Sequence, residues 1–373
     1  MHIPERIYSL DALRATMMLL GIVLHAAESY SVGVDLLWPK DPNTTSSFFT
    51  YLSSFIHIFR MPVFFMISGF FGSLLFYGRG SSKMLKQRFR RIVLPFVVFL
   101  TLLHPLIFNA YENLIEALGS QMMETVEFSW LPKITYHLWF LYYLIWITLL
   151  VTLLAILLRS LTRLKQVISN LFSWMFLRQW LFLIAFCLTL FVLLVWMWDF
   201  WASTPLTFLP DVKVLLFYSL FYLMGWAFFI KQELLSVVKR NGVPYLICGF
   251  LIYTLKFIFR DYFDDILYGG LNTISGYLLI FGFTGVFLKF FGDHSSNWRY
   301  VSDSSYWVYL IHLPFTLLVP SVVVDWSIPS GVKFLIVVVI TSAISLFSYH
   351  YFVRGTFIGE FLNGKRYPIN DKS

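Results

Sequence analysis

The sequence predicts an all-α integral membrane protein of about ten transmembrane helices, and three observations carry that prediction. The chain is 58% hydrophobic and 20% aromatic. Only 13% of its 373 residues are Asp, Glu, Lys or Arg, about half the ~25% usual in a soluble domain. Apolar runs of the ~20 residues needed to cross a bilayer recur along the whole length. No hydrophilic segment is long enough to fold separately, so residues 1–373 read as one membrane-embedded domain.

The first run, 7–30, contains the most informative stretch, Ser9–Tyr30, which is apolar enough to span yet carries Asp11, Arg14, His25 and Glu28. An ionisable group at mid-bilayer costs at least ~2.5 kcal/mol, so such groups face a protein interior or a watery cavity. Arg14 and His25 are eleven residues apart, close to three helical turns, which puts them on one stripe about 16 Å apart. Asp11 precedes Arg14 by three residues and Glu28 follows His25 by three, so each acid reaches its base along that stripe. The amino terminus lacks a short apolar region followed by a small-residue cleavage site, and the first span is expected to serve as its own insertion signal.

The second run, 48–77, exceeds one bilayer thickness and contains Pro62, Gly69 and Gly72, which predicts a tilted, kinked or protruding helix. His57 and Arg60 form an i,i+3 pair on it, with Arg60 near the bilayer middle. A guanidinium there needs an anion. Asp11 or Glu28 across a helix interface would serve, and so would a carboxylate or phosphate on a substrate. The Ser68-Gly69 pair suits either backbone exposure into a cavity or close helix packing.

Further spans are expected near 91–112, 135–158, 179–199, 212–231, 243–260, 269–290, 300–321 and 331–353. His104 and Asn109 lie near the outer end of the third, His137 and Trp139 where the fourth begins, and Tyr306 and His312 on the ninth. His294 and His350 suggest no role. The outer loops 31–47 and 113–134 are too short to fold alone but long enough to cap a cavity.

Most of the 28 Lys and Arg side chains fall in loops on one side if the amino terminus is inside, including the run 81–91, SSKMLKQRFRR. The positive-inside rule then makes both termini cytoplasmic. The net charge of +8 is therefore topological, with the lipid bilayer and not nucleic acid as its partner. Run 81–91 suits headgroup contact or a landing site for a phosphorylated substrate. Two cysteines, both in apolar runs, exclude a disulfide framework and a Cys-rich metal site. Without His-Glu-x-x-His or a close His pair on one helix, no metal centre is expected. The lack of a phosphate-cradling glycine loop argues against nucleotide-driven pumping.

Several segments carry a family resemblance. LDALRATMMLLGIVLH, with ten residues between Arg14 and His25, resembles the first-helix signature of integral-membrane acyltransferase family 3. FRMPVFFMISGFF at 59–71, RFRRIVLPF at 88–96, HLWFLYYL at 137–144 and SYWVYLIHLPF at 305–315 are similar to later segments of that family, in order. Together they are most similar to its glucan-biosynthesis branch, the succinyltransferases of osmoregulated periplasmic glucans. Phe-Arg-Met-Pro replaces the Gly-rich, Asp-containing second helix of many O-antigen acetyltransferases in the family.

The resemblance implies transfer of an acyl group from cytoplasmic acyl-CoA to a carbohydrate hydroxyl beyond the bacterial inner membrane. It implies no bound cofactor, succinyl-CoA as the expected co-substrate, and a periplasmic glucan as acceptor. His25 becomes the catalytic residue and Arg14 its essential companion. Chemically, His25 suits a base or an acyl carrier, and Glu28 is placed to orient its ring. Arg60, His57, Asp11, His137, Trp139 and His312 are the candidate substrate-binding residues. Two other readings fit the same residues: an O-acetyltransferase of another envelope polysaccharide, and a transporter of a glycan or lipid-linked sugar. The lack of an internal repeat argues against the transporter.

Overall fold

The computed structural model describes residues 7–33, 38–118, 128–199, 204–364 and 366–367. Parts of both long outer loops, 34–37 and 119–127, lie outside the described residues, as do Arg6, Lys365 and Lys372 of the charge pattern. Among the described residues 82% are helical and none forms a strand.

The helices are α1 (Tyr8–Glu28), α2 (Ser47–Arg79), α3 (Ser81–Arg88), α4 (Leu94–Leu118), α5 (Trp139–Leu157), α6 (Thr162–Leu177), α7 (Gln179–Met197), α8 (Val212–Ile230), α9 (Leu235–Ile258), α10 (Asp265–Phe290), α11 (Ser296–Val323), α12 (Ser330–Ser348) and α13 (Phe357–Asn363). Ten helical segments of the described chain are long and apolar enough to cross a membrane, and they fall where hydropathy predicts them.

The boundaries differ where polar residues continue a helix beyond its apolar stretch. The seventh span is predicted from 243, but α9 already starts at Leu235 and carries Lys239, Arg240 and Asn241 in helical register. Side-chain caps extend the next two: Asp264 accepts from the Leu267 amide at 2.7 Å before α10, and Ser295 accepts from that of Trp298 before α11. The third span continues from α3 through a wide turn at Phe89–Val93 into α4. Pro95, just past that turn, has no N–H to offer the carbonyl of Arg91. The Tyr306 hydroxyl donates to that carbonyl instead, at 2.9 Å.

Contacts divide the chain into two compact units built from discontinuous segments. The first comprises Met1–Arg14, Ile58–Phe89 and Trp139–His294; the second comprises Ala15–His57, Arg90–Leu138 and Ser295–Ser373. Helices α1 and α2 contribute residues to both.

Small residues and aromatic rings build the first unit. A Cβ on Gly69 would strike the backbone of Tyr222, and one on Gly225 the backbone of Met66, so α2 and α8 touch main chain to main chain. Close packing therefore accounts for the Ser68-Gly69 pair. Gly242 and Gly285 meet in the same way between α9 and α10. Where lipid gives no hydrophobic drive between helices, such close approach maximises dispersion and is a main source of association. Phe65 stacks on Tyr218 at 4.5 Å and meets Phe140 edge-on at 4.9 Å.

In the second unit Ala26, Ala27, Tyr30, Phe49 and Val337 form a buried cluster. Burial raises the pKa of the Tyr30 hydroxyl, and the Asp41 carboxylate adds to the effect. Tyr30 is therefore protonated at any physiological pH.

Replacing Gly285 by Val forces two backbones apart, and overpacking of this kind costs about 1–3 kcal/mol or more. Gly285→Val is expected to lower the thermal unfolding midpoint of the detergent-solubilised protein. An unchanged midpoint would show that α9 and α10 separate without penalty.

Candidate active site

Near its carboxyl end α1 presents His25, half-buried, and the chain just after the helix folds back over it. The indole of Trp38 stacks on the His25 ring, centroids 5.1 Å apart and planes 16° from parallel. Trp38 is held in turn by donation from Nε1 to the Ser29 hydroxyl at 2.9 Å. Lys40 closes the helix end, donating to the Glu28 carbonyl at 2.9 Å, to its carboxylate at 3.2 Å and to the Ser31 hydroxyl at 2.8 Å. A lysine on the last carbonyls of a helix also complements the helix dipole.

This return segment is anchored by a buried ion pair. Lys333 Nζ on α12 lies 2.8 Å from Asp41 Oδ2, with side-chain exposures of 0% and 2%. Lys333 also donates to the Val324 carbonyl just past α11 at 2.7 Å. The other Asp41 oxygen accepts from the Asn43 and Thr44 amides at 2.8 and 3.2 Å. Lys333 is thus a buried structural cation.

His25 also meets His312 of α11, centroids 5.3 Å apart, and His137 stands edge-on to His312 at 5.1 Å. Three histidines far apart in sequence share one cluster with Tyr309, whose hydroxyl donates to the His137 carbonyl at 2.8 Å. His312 Nδ1 lies 2.7 Å from the Tyr309 carbonyl. In the neutral ring that contact places the proton on Nδ1 and the basic lone pair on Nε2. Among the described residues no group of His, Cys, Asp and Glu is disposed to hold a metal ion.

His137 has a structural task as well. Pro314 lacks the N–H that would meet the Leu310 carbonyl one turn earlier on α11. His137 Nε2 lies 3.0 Å from that oxygen and satisfies it. The ring therefore bridges the 136–138 turn to the proline position in α11.

The other predicted residues divide between the units. Asp11 and Arg14 form the expected i,i+3 ion pair in the first unit, at 3.4 Å. Arg60 and Trp139 are both buried in that unit, and Arg60 contributes a positive field at Tyr218. His57 is half-buried on α2 in the second unit. The structure thus brings together His25, His137 and His312 within the second unit, and Asp11 with Arg14 within the first, while the Glu28 carboxylate meets Lys40.

Trp38, Lys40, Asp41 and Tyr309 escape sequence reasoning. The only signal for the first three is WPKD, a large aromatic followed closely by two opposite charges in an outer loop. His104, by contrast, behaves as an ordinary interfacial residue. Its two ring nitrogens lie 2.8 Å from the Tyr136 hydroxyl and 2.6 Å from the Ser129 carbonyl, and its ring stacks on Phe128.

These features define a multi-pass helical membrane protein with a histidine-centred site on its first and eleventh helices. The chain belongs to the acyltransferase domain family, whose sequence profile matches residues 7–350. Similar proteins include glucans biosynthesis protein C of Escherichia coli O157:H7, strain EC4115, 26% identical over 388 residues that cover 99% of this chain and 98% of that protein. The protein of the same name from Escherichia coli K12 is 25% identical over 388 residues, with the same coverage of both chains. No solved structure matches the chain.

Removing the His137 ring leaves the Leu310 carbonyl without its donor, and an unsatisfied buried acceptor costs about 1–3 kcal/mol. His137→Ala is expected to lower the unfolding midpoint, and His137→Gln, which keeps an amide donor, to recover part of the loss. Equal stability of all three proteins would remove the structural role.

Proposed function

We infer that this protein transfers an acyl group from acyl-CoA to a hydroxyl of a glucan, with His25 as the general base. The observation that carries the reading is the setting of His25, an imidazole on a membrane-spanning helix in ring contact with both the Trp38 indole and the His312 imidazole. Acyl transfer to an alcohol needs a base aligned on the hydroxyl, and a ring held by two aromatic neighbours is pre-oriented for that task. His25 takes the hydroxyl proton as the sugar oxygen attacks the thioester carbonyl. The carbon–sulfur bond then breaks and the coenzyme thiol leaves with a proton. Glu28, one turn on, favours the imidazolium that forms in between.

The family supports the acyltransferase reaction. The glucan acceptor is proposed from the name borne by the similar Escherichia coli proteins. Arg14 is assigned to the phosphates or pantetheine carbonyls of the donor, with Asp11 orienting it. Arg60 is assigned to the free carboxylate of a succinyl group, which its planar fork suits. His57, Trp139, His137 and His312 complete the proposed substrate-binding set. The charge pattern supports cytoplasmic termini; a bacterial inner membrane location, with the donor entering from the cytoplasm and the sugar from the periplasm, is proposed together with the glucan acceptor.

The test uses the purified protein in lipid nanodiscs, following release of free CoA from succinyl-CoA or acetyl-CoA with and without a β-glucan. Glucan-dependent release is expected from the parent protein, and His25→Ala should lose about 10²–10⁴-fold of it. Substantial turnover in the variant would overturn the assignment. Arg60→Lys should impair succinyl transfer more than acetyl transfer. Equal losses with both donors would mean that Arg60 does not read the carboxylate.

A further inference from the structure

The helix α6 is too short to cross a bilayer. Its 16 residues extend about 24 Å, against ~30 Å of hydrocarbon. Three residues after α5 ends at Leu157 the chain turns, and α7 begins two residues after α6 ends, at Gln179. If α5 and α7 cross the membrane in opposite directions, both ends of α6 are held at the same membrane face. Such a helix runs along that face rather than through it.

The sequence of α6 has three distinct sides at 100° per residue. One side packs inward: Phe176 is buried against Phe182 and Phe228 at 4.9 and 5.1 Å, and Phe172 lies beside the same rings. A second side carries the exposed polar residues Arg163, Gln166 and Asn170. The third is a stripe of Leu164, Val167, Ile168, Leu171 and Trp174, each between 44% and 62% exposed. In water that stripe would be an isolated apolar patch. On the membrane face it sits where an interfacial helix puts its apolar side, in the boundary between headgroups and acyl chains.

Basic residues flank the stripe. Arg159 and Arg163 are exposed at one end and Arg178 at the other. The Arg178 guanidinium lies over the Trp174 ring at 4.1 Å, holding a cation and an interfacial aromatic side by side. No acidic residue occurs between Arg159 and Arg178, so every charge that this segment itself carries is positive. Headgroups with net negative charge complement it, and each such Lys or Arg adds attraction near an anionic membrane.

We propose that α6 is an anionic-phospholipid binding surface, seating its Leu164–Trp174 stripe among the acyl chains and its flanking arginines on the phosphates of acidic headgroups. The surface is independent of the histidine site and of the reaction assigned to it.

The test places the full-length protein in nanodiscs of phosphatidylcholine alone or of phosphatidylcholine mixed with phosphatidylglycerol. Amide hydrogen exchange over 162–177 and the phosphatidylglycerol retained on mild extraction, counted by native mass spectrometry, are the readouts. Exchange should slow in the mixed bilayer, and added salt should reverse the effect. Replacing Arg159, Arg163 and Arg178 by Gln should lower phosphatidylglycerol retention about fivefold for each charge removed. Replacing the same three by Lys should retain it, and unchanged exchange in α7–α10 reports that the fold is intact. Equal exchange in both bilayers, or equal retention by the parent and the Gln variant, would overturn the proposal.

Discussion

A backbone carbonyl that loses its N–H partner inside a bilayer finds no water to replace it, and each such group costs several kcal/mol. Prolines in membrane-spanning helices create that problem, and here side-chain donors solve it at two of them, one within the site. Tyr306 supplies the donor that Pro95 withholds from Arg91. His137 supplies the one that Pro314 withholds from Leu310. The second repair tethers the 136–138 turn to α11 at the level of His312, so the histidine cluster depends on a backbone defect and on its remedy. A residue that resembles a ligand-binding histidine is in the first instance a structural donor.

The same logic governs the segment that covers His25. Loop residues 38–41 carry few apolar atoms to hold them down, and the buried pair of Asp41 with Lys333 does so instead. Desolvating two charges is expensive, and such a pair is tolerated only when further hydrogen bonds complete both partners. Asp41 collects two backbone amides and Lys333 a helix-terminal carbonyl. The return on α1 is then rigid enough to keep Trp38 stacked on His25. A base with a fixed ring plane needs less reorganisation to meet a hydroxyl than one that rotates freely.

Much of the architecture was legible in the chain. Span count and placement follow from hydropathy, which is a property of consecutive residues. The Asp11–Arg14 pair follows from the helical repeat. Boundaries were less legible, because α9 extends over Lys239, Arg240 and Asn241 where hydropathy predicts a loop. Hydropathy leaves α6 between two spans, since its stripe is interrupted by polar residues and falls short of a span. In the site, His25 and Glu28 stood out because charge in an apolar run is conspicuous. Trp38 and Lys40 did not, because charged and aromatic residues in a loop are ordinary.

The sequence by itself determined an all-α membrane protein with ten spans and a polar stripe on the first, because bilayer thickness and helix periodicity act on local stretches. Only the tertiary structure decided which histidines meet. His137 and Leu310 are 173 residues apart, and Asp41 and Lys333 are 292 apart. No periodicity connects such positions. Their pairing is settled by which helix faces pack together and by where a proline leaves a carbonyl in need of a donor.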